Sequence, residues 1–600
     1  MVPQHDHDLN QQVLDDVMDQ VHQSMGSALT DRYLHPDVNA GAGGLQSYLG
    51  SPGALFAFGL FILLLVTRVV SSQRLVPKGV KDEGVQKPPA VPYWLPLIGH
   101  VPNMAYDADG FLKRLRTQFQ SGVYSLNFVG GRHNIVYDPG LATALLNQKQ
   151  HVANSEEVSR RLLGVIFGFP KKELHKYDDA LPELMTCYKH LLSEPSLGDL
   201  VSQTSRQLQR SIADLVTGNE SLVDQLPWEK TSNVNNVKNK FGKLVVEASL
   251  LPLIRDYAAH TANPSLIGSD FLNNYPDFLD DLWVFDRGFV LLATGLPRWV
   301  PLPTLTRAHI ARKRMLDKLD IFHRAMKKHA NGEDAGTDWS SLDDVGSLVK
   351  ARMEVYRKHD MSIRARSSFE LSLLWAGNAN SDTLIFWMVN RIYADKALLE
   401  MIREEIAPYV TVVQPASDLP IAEPPRLERF HLDRLCNDCP LLKSAYVECL
   451  RLDAAPWSFK VIKEDLILQG RQKSSERWLL RKGDYAHIAH DLHSTDPKFF
   501  DDPTVWRADR HIKYDDDEKR RVADMGSIRP YGGGSSMCKG RTFAFKQSIM
   551  FTAAIVSMWD IEPAGGGPWN MPRHRKSTGV YNTNDDTRVW VKRRELSKPE

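Results

Sequence analysis

The apolar positions along the chain fall mainly at helical spacing. Leu371 to Tyr393 (LSLLWAGNANSDTLIFWMVNRIY) is hydrophobic nearly all round, which predicts a helix through the protein interior, and the polar residues at its centre argue against a membrane span. Leu441 to Leu452 (LLKSAYVECLRL) predicts a second strong helix. Short strand patterns follow at Phe459 to Ile462, Leu466 to Leu468 and Val589 to Val591. We therefore expect a mainly α fold with a minor β portion.

A long uncharged stretch near the N-terminus predicts a single membrane anchor. Residues 38–67 carry no charge, and Ala54 to Thr67 (ALFAFGLFILLLVT) is almost wholly apolar. With Val69 and Val70 beyond Arg68, the segment is about long enough to cross a bilayer core. Acidic residues precede it and basic residues follow it, so the positive-inside rule places the long C-terminal part in the cytosol. A buried core helix is the alternative.

The anchor divides the chain into four predicted segments. Residues 1–50 form a polar tail, 51–72 the anchor, 73–100 a linker with a proline-rich hinge, and 101–600 one large domain. The four prolines of the hinge fix φ and remove backbone donors, so this segment should be stiff and extended. No repeat at a fixed period divides the long C-terminal segment further.

Charge and cysteine content exclude several classes of protein. The 74 lysines and arginines nearly balance the 73 aspartates and glutamates, and a formal net charge of +1 argues against binding to nucleic acid by bulk electrostatics. The 42% hydrophobic and 24% charged fractions argue against wholesale disorder and against a polytopic membrane protein. Five cysteines cannot form a disulfide framework and leave at least one unpaired, which suits a reducing compartment.

The segment 529–541 (RPYGGGSSMCKGR) is the most informative about chemistry. Three consecutive glycines allow the backbone to approach a flat or bulky group closely. Cys538 lies just before a predicted helix, where free amides and the helix dipole favour the thiolate as a metal ligand or a nucleophile. The glycines match no dinucleotide or Walker pattern, and Ser535 lacks the GxSxG frame. A buried structural cysteine is the alternative.

Several motifs, in the same order along the chain, resemble those of the cytochrome P450 family. Glu448-x-x-Arg451 is similar to the ExxR helix of that family, and the segment 496–510 is similar to its meander, which would place Arg510 in an ion-pair cluster with both. The anchor and proline hinge are as in its microsomal members. The loop before the last long helix matches the haem-binding loop of the family at Tyr531, Gly532, Gly534, Cys538 and Gly540. Trp375 to Asn380 (WAGNAN) resembles the branch that contains cholesterol 7α-hydroxylase and prostacyclin synthase.

The resemblance implies a cytochrome P450 fold and a haem-thiolate monooxygenase in the endoplasmic reticulum membrane, with a single span and a cytosolic catalytic domain. Cys538 would be the axial ligand of haem b, with O2 as oxidant and electrons from NADPH through a membrane flavoprotein, NADPH–cytochrome reductase. A bulky lipophilic substrate is implied, such as a sterol, a terpenoid or a polyketide-like secondary metabolite, with membrane lipid and not nucleic acid as the other partner. The alternatives are a prostacyclin-synthase-like isomerase or dehydratase that acts on a peroxide without a reductase, and a membrane haem-binding protein without turnover.

Three features depart from the common family pattern. Ala379 and Asn380 stand where an acid and a threonine usually relay protons; Asn380 can donate a hydrogen bond, but Ala379 cannot carry a proton. Asp382 is a candidate substitute relay, with a structural role as the alternative. Ser536 stands where many members have a basic residue, and the usual tryptophan–arginine pair of an earlier helix is not evident. Lys460 matches a position where this branch has an arginine, so the resemblance implies that Lys460 contacts a haem propionate.

Two other groups of residues are expected to have no catalytic role. His487, His490 and His493 are interpreted as surface or loop residues and not as a metal site. Cys436 and Cys439 have CxxC spacing without a second ligand pair, so they are interpreted as structural cysteines at a helix start. Cys449 is expected to pack in the core.

Overall fold

The computed structural model describes residues 52–73, 84–239, 241–415, 423–470, 476–517 and 519–595. The predicted polar tail and residues 74–83 of the predicted linker lie outside these ranges. Helix α1, with residues 92–96, forms one compact unit, and the rest of the described chain forms a second. The division of the chain into tail, anchor, linker and catalytic domain stays a prediction.

The described part of the chain is mainly helical. Its α-helices are α1 Pro52–Gln73, α2 Val101–Gln118, α3 Pro139–Leu146, α4 Glu156–Val165, α5 Leu174–Cys187, α6 Ser196–Ser211, α7 Pro227–Thr231, α8 Leu250–Ala262, α9 Pro264–Ile267, α10 Ser269–Asn274, α11 Phe278–Arg287, α12 Phe289–Ala293, α13 Pro303–Ala330, α14 Ser347–Lys358, α15 Ile363–Asn378, α16 Ser381–Tyr393, α17 Lys396–Ile406, α18 Leu432–Asp438, α19 Pro440–Leu452, α20 His490–Ser494 and α21 Arg541–Met558.

Short sheets make up the minor β portion. The strands are β1 Val85–Gln86, β2 Val123–Phe128, β3 Gly131–Val136, β4 Ala153–Asn154, β5 Asn235–Lys238, β6 Leu244–Ser249, β7 Val410–Val413, β8 Arg426–Phe430, β9 Trp457–Ile462, β10 Leu466–Gln469, β11 Arg477–Leu480, β12 Tyr485–Ala489, β13 Ile512–Asp515, β14 Arg520–Ala523, β15 Trp559–Pro563 and β16 Arg588–Arg593. A five-stranded sheet has the order β2-β3-β12-β9-β4, and a four-stranded sheet has the order β15-β16-β6-β5. The predicted helix at Leu441 to Leu452 and the predicted strands are confirmed by α19, β9, β10 and β16.

Helix α1 is long and apolar enough, from Gly53 to Ser72, to cross a membrane by length and composition. Within this segment only Ser71, next to its C-terminal end, is buried, whereas the core-helix alternative would require most of it to be buried. Its large side chains, such as Phe56 and Phe58, are exposed. A continuous apolar surface of this kind is unfavourable in water and suits lipid.

The predicted interior helix is divided into two. Helix α15 ends at Asn378 and α16 begins at Ser381, so the expectation of one continuous helix was wrong at Ala379 and Asn380. At the break the Ser381 hydroxyl donates to the carbonyl oxygen of Gly377 at 2.6 Å. Serine and asparagine side chains compete with the backbone for such hydrogen bonds, which explains why the helical ladder is interrupted here.

Helix α16 lies in the core of the second unit, where it packs against α8, α19 and α21. Its side chains from Ser381 to Asn390 are all buried, as are those of α21 from Gln547 to Met558. The break at Asn380 lies at the N-terminal end of α16, and Asn380 and Cys538 line the same cavity.

Candidate active site at Cys538

A backbone hydrogen bond and two glycines fix the conformation of the loop that carries Cys538. The Cys538 N–H donates to the carbonyl oxygen of Tyr531 at 3.0 Å. Gly532 and Gly534 have φ values of +68° and +60°, which favour glycine. A Cβ atom at Gly534 would lie 2.2 Å from the carbonyl oxygen of Leu146, so no larger residue fits. The fixed loop sets where the thiol points.

Cys538 is exposed and lines a cavity. Burial raises the pKa of the thiol, while the backbone N–H of Gly540, the Arg541 guanidinium and the Arg541 N–H oppose that rise. The start of α21 therefore lowers the pKa of Cys538, as predicted, but burial raises that pKa by more. Coordination to a metal ion deprotonates a thiol, so a bound cation would reverse the balance.

A cavity of about 320 Å³ lies against Cys538. Apolar side chains form much of its wall, including those of Leu373, Leu384, Leu450, Trp457, Phe543 and Val580. Along the described wall, the ionisable side chains are those of Cys538 and Tyr531, and the Tyr531 hydroxyl is hydrogen bonded to that of Tyr446. The cavity therefore suits a bulky apolar group.

Asn380 lines this cavity at the break between α15 and α16, whereas Ala379 is buried away from it. The Asn380 Oδ1 accepts a hydrogen bond from the Val580 N–H at 2.9 Å. A Cβ atom at Gly579 would lie 2.3 Å from the same oxygen, so a glycine is needed beside the amide. Because Oδ1 is engaged, the Nδ2 of Asn380 is the atom of its amide that is left to donate hydrogen bonds.

Asn378, at the end of α15, has a structural role instead. Its Oδ1 accepts a hydrogen bond from the Asn263 Nδ2 at 2.7 Å, and its Nδ2 donates to the Asn263 Oδ1 at 3.0 Å. The side chain also donates to the carbonyl oxygen of Leu374 at 2.7 Å. The polar residues in the middle of the interior helices therefore include Asn378, which is hydrogen bonded to Asn263, and Asn380, which lines the cavity.

Glu448, Arg451 and Arg510 form one ion-pair cluster. The Arg451 guanidinium binds both oxygens of Glu448 at 2.7 Å, and the Arg510 Nε donates to Glu448 Oε1 at 3.0 Å. Glu448 and Arg451 are fully buried, with 0% and 1% of their surface exposed. Arg451 also donates to the carbonyl oxygens of Ser494 and Pro503 at 2.8 and 2.7 Å. The cluster therefore ties α19 to the segment before the Cys538 loop.

Glu448 is held ionised within this cluster. Burial alone would raise its pKa, but hydrogen bonds from Arg451 and His511 and the Arg451 charge lower it to about 2. His511, whose Nε2 lies 3.0 Å from Glu448 Oε2, was not predicted. Its position directly after Arg510 was the available signal in the sequence.

Lys460 lies on β9, beside the Cys538 loop. Alternate residues of a strand share a face, so Lys460 faces the same way as Ser458. On that face the Ser458 hydroxyl lies 3.0 Å from the position that a Cβ of Gly532 would take. The Lys460 side chain is 1% exposed, and its Nζ has no hydrogen-bond partner among the described residues. Burial lowers its pKa. A buried amine of this kind requires an acceptor.

The prediction that His487, His490 and His493 are surface or loop residues was wrong. All three are buried, because β12 lies inside the five-stranded sheet and α20 follows it into the core. Their polar partners differ. His487 lies 2.7 Å from the His133 Nδ1, His490 lies 2.9 Å from the Ser458 hydroxyl, and His493 lies 2.9 Å from the Ser527 hydroxyl. No cluster of three or more metal-ligating side chains occurs in the described ranges.

The other cysteines of the sequence analysis are structural. Burial raises the pKa of Cys436 and of Cys439 to about 12, which keeps both as thiols. Cys439 directly precedes α19 as predicted, whereas Cys436 lies within α18. Cys449 is 0% exposed, which confirms its place in the core.

Comparison with known proteins decides the family. The family model for cytochrome P450 matches residues 272–587, more than half of the chain and the whole of the region described above from Asn380 to Cys538. The chain belongs to the cytochrome P450 family. The cytochrome P450 monooxygenase efuG of Hormonema carpetanum is 24% identical over 89% of this chain and 94% of its own length. Cytochrome P450 7B1 of Mus musculus is 25% identical over 89% of this chain and 95% of its own length, and cytochrome P450 7A1 of Rattus norvegicus is 27% identical over 53% and 58%.

Membership makes the chain an oxidoreductase of the cytochrome P450 type, a family that uses haem, O2 and a redox partner. The residues of the site fit that cofactor. The exposed thiol of Cys538 borders an apolar cavity, and the unpartnered Lys460 amine is a cation that a propionate would satisfy. Lys460 and the glycines of the Cys538 loop are therefore consistent with a haem-binding site in this protein.

Proposed function

We propose that this chain is a haem-thiolate monooxygenase that hydroxylates or otherwise oxidises a bulky lipophilic substrate with O2 and electrons from an NADPH-dependent reductase. The observation that carries the proposal is the apolar cavity of about 320 Å³ that borders the exposed thiol of Cys538. An apolar wall with few polar groups is typical of a site for a lipophilic molecule.

In this proposal each residue has a separate task. Cys538 would hold the haem iron through its thiolate, and the haem would supply the oxidising chemistry when bound. Gly532 and Gly534 would let the loop approach the cofactor closely, and Lys460 would bind one of its carboxylates. Asn380 donates a hydrogen bond into the cavity. Gly540 directly precedes α21, and its backbone N–H stabilises the Cys538 thiolate.

The substrate class is proposed as sterol, terpenoid or polyketide-like. Support comes from the relatives, which include proteins named cytochrome P450 7A1 and 7B1 as well as fungal proteins named monooxygenases. We further propose that α1 anchors the protein in the endoplasmic reticulum membrane, with the catalytic domain in the cytosol beside NADPH–cytochrome reductase. The length and apolar composition of α1 support a membrane span.

A second candidate is an isomerase or dehydratase that rearranges a peroxide without a reductase. The described cavity wall favours it in one respect, because no carboxyl group lines the cavity to deliver protons for oxygen reduction. Peroxide rearrangement consumes neither electrons nor external protons, so this wall would suffice. Dependence on NADPH separates the two candidates.

The test uses the full chain expressed in membranes with NADPH–cytochrome reductase. A panel of sterols, terpenoids and polyketides is incubated with and without NADPH, and products are analysed by mass spectrometry. We expect a product that has gained one oxygen atom only with NADPH, and none from the Cys538→Ala variant. Conversion of an added lipid peroxide without NADPH would support the isomerase instead, and turnover by either route would exclude a haem-binding protein without activity.

A further inference from the structure

The loop 575–582 contributes to the walls of two cavities. Two backbone hydrogen bonds, of 2.6 and 2.9 Å, join its two end residues. The residues at its tip line the Cys538 cavity: Thr578, Gly579 and Val580. The next residue, Tyr581, lines a second cavity of about 310 Å³. The loop therefore borders both cavities.

The second cavity differs in chemistry from the first. Its wall carries several ionisable side chains: Asp109, Lys113, Arg391, Arg451, Asp491, His574 and Tyr581. On the described wall of the Cys538 cavity, the ionisable side chains are those of Cys538 and Tyr531. Ala454 lines both cavities, so a single residue separates them there. Water and ions suit the second cavity, whereas an apolar ligand suits the first.

One peptide group at the tip of the loop is hydrogen bonded in two directions. Its carbonyl oxygen, that of Gly579, accepts from the Ala455 N–H at 2.7 Å. Its N–H, that of Val580, donates to the Asn380 Oδ1 at 2.9 Å. The C=O and N–H of a trans peptide point in opposite directions, so this group spans the gap between Ala455 and the helix break at Asn380. The tip is therefore held from both sides, and on one of them by a side chain.

Gly579 and Asn380 form a matched pair. A Cβ atom at Gly579 would lie 2.3 Å from the Asn380 Oδ1 and 3.0 Å from its Cγ. The φ angle of Gly579 lies outside the left-handed region, so left-handed strain would not add to this contact in an alanine variant. Space beside the amide, and not backbone conformation, requires a glycine here.

We propose that Asn380 is a positioning residue for the 575–582 loop, and that the hydrogen bond from Val580 to its Oδ1 keeps the Cys538 cavity separate from the charged cavity. This rests on the proposed function, because it treats the Cys538 cavity as the substrate site. An amide suits the task, since its oxygen holds the loop while its nitrogen remains to donate hydrogen bonds. With the loop held, the water and charge of the second cavity stay out of the apolar site, which favours a lipophilic ligand. Without that hydrogen bond, the two cavities join beside Ala454.

The variants separate the oxygen of Asn380 from its size and from its nitrogen. Asn380→Leu keeps the size and removes the acceptor, whereas Asn380→Asp keeps an acceptor oxygen and removes the amide donors. Gly579→Ala displaces the amide through its Cβ, and it is also made together with Asn380→Ala, which removes the obstructed side chain. The matched control is Gly567→Ala, because Gly567 has a φ of −83° and a Cβ there would meet no described atom within 4 Å.

The first readout is hydrogen–deuterium exchange of the full chain, with and without haem, resolved at the Val580 amide by electron-transfer fragmentation. We expect a protected amide in the unmodified protein and exchange about fivefold faster in Asn380→Leu and in Gly579→Ala, which is the worth of one neutral hydrogen bond. Asn380→Asp and Gly567→Ala should exchange no faster than the unmodified protein. The double variant should exchange no faster than Asn380→Leu, because both of its changes break the same hydrogen bond. The proposal is wrong if the Val580 amide exchanges freely in the unmodified protein, if Asn380→Leu keeps the original rate, or if Asn380→Asp exchanges as fast as Asn380→Leu.

The second readout tests whether that hydrogen bond separates the cavities. Haem-loaded protein is titrated, by its absorption spectrum, with N-butylimidazole and with the analogue whose butyl chain ends in a carboxylate. We expect the unmodified protein to bind the neutral ligand more tightly, and Asn380→Leu and Gly579→Ala to reduce that preference about fivefold, with Gly567→Ala unchanged. Equal affinity for the two ligands in the unmodified protein, or an unchanged preference in both Asn380→Leu and Gly579→Ala, would overturn the separation of the cavities.

The two readouts distinguish this proposal from the proposed function. Exchange of the Val580 amide does not depend on haem, so it tests the hydrogen bond even if the chain is not a haem-thiolate enzyme. Failure of the proposed function would appear separately, as haem without thiolate ligation in the unmodified protein. If Asn380→Leu fails to fold, Gly579→Ala and its comparison with Gly567→Ala decide the question in the same way.

Discussion

Replacement of Arg451 by alanine should destabilise the protein more than any substitution at its surface. The side chain is 1% exposed and makes two hydrogen bonds to Glu448 at 2.7 Å, with further ones to the carbonyl oxygens of Ser494 and Pro503. Removing one partner of a buried ion pair leaves the other charge uncompensated and costs about 3–5 kcal/mol. Native proteins are stable by about 5–15 kcal/mol, so this loss is a large share of the total. Arg510 and His511 still contact Glu448, which keeps the expected loss within that range.

The assay is urea unfolding of the purified full chain, followed by tryptophan fluorescence, together with the haem content after expression. The free energy of unfolding of Arg451→Lys should lie between those of the unmodified protein and Arg451→Ala, because an ammonium keeps the charge but cannot bind both oxygens of Glu448 as a fork. The control is Arg434→Ala, which removes an exposed pair with Asp438 at 3.0 Å and should cost about 0–1 kcal/mol. An Arg451→Ala protein as stable as the control, with full haem content, would refute the assigned role of the cluster.

Three further predictions follow from the same geometry. Lys460→Ala should lower the haem content of the expressed protein by about tenfold, a typical value for one lost charged contact, whereas Lys460→Arg should keep it near that of the unmodified protein. Equal haem content in the unmodified protein and both variants would show that Lys460 does not contact a propionate. Gly534→Ala should destabilise the Cys538 loop, because its Cβ would lie 2.2 Å from the Leu146 carbonyl oxygen, and an unchanged thermal midpoint with unchanged haem binding would contradict this. Glu448 has a pKa of about 2 in the folded protein against an ordinary 4.5, so the stability that it contributes is complete above about pH 4.5 and is lost as the pH falls toward 2. In Glu448→Gln the free energy of unfolding should therefore fall less steeply over this pH range. The same pH dependence in both proteins would show that Glu448 is not the source of the acid destabilisation.

Much of this site could be predicted from the order of motifs along the chain. Glu448 and Arg451 are three residues apart on a helix, and that spacing already places them on one face. The addition of Arg510 depended on the family resemblance, and it is seen at 3.0 Å from Glu448. His511 could not be predicted in the same way, because its contact with Glu448 depends on how the segment around β13 packs against α19.

The buried histidines and the helix break show what local pattern misses. The sequence predicts surface or loop histidines around His487, but β12 lies between β3 and β9, and its side chains from Ala486 to Ala489 are buried on both faces of the sheet. The apolar periodicity of Leu371 to Tyr393 is continuous, yet hydrogen bonds of Ser381 and Asn380 interrupt the backbone ladder. The burial of the histidines comes from tertiary packing, whereas the helix break combines the local hydrogen bond of Ser381 with the long-range one between Asn380 and Val580.

The carbon monoxide difference spectrum of the dithionite-reduced, membrane-expressed protein tests the ligand role of Cys538 directly. We predict a red-shifted haem-thiolate Soret band for the unmodified chain and its loss in Cys538→Ala, with haem still present. A haem-loaded protein without that band, or a band that persists in Cys538→Ala, would contradict the assignment of the thiolate and the function built on it.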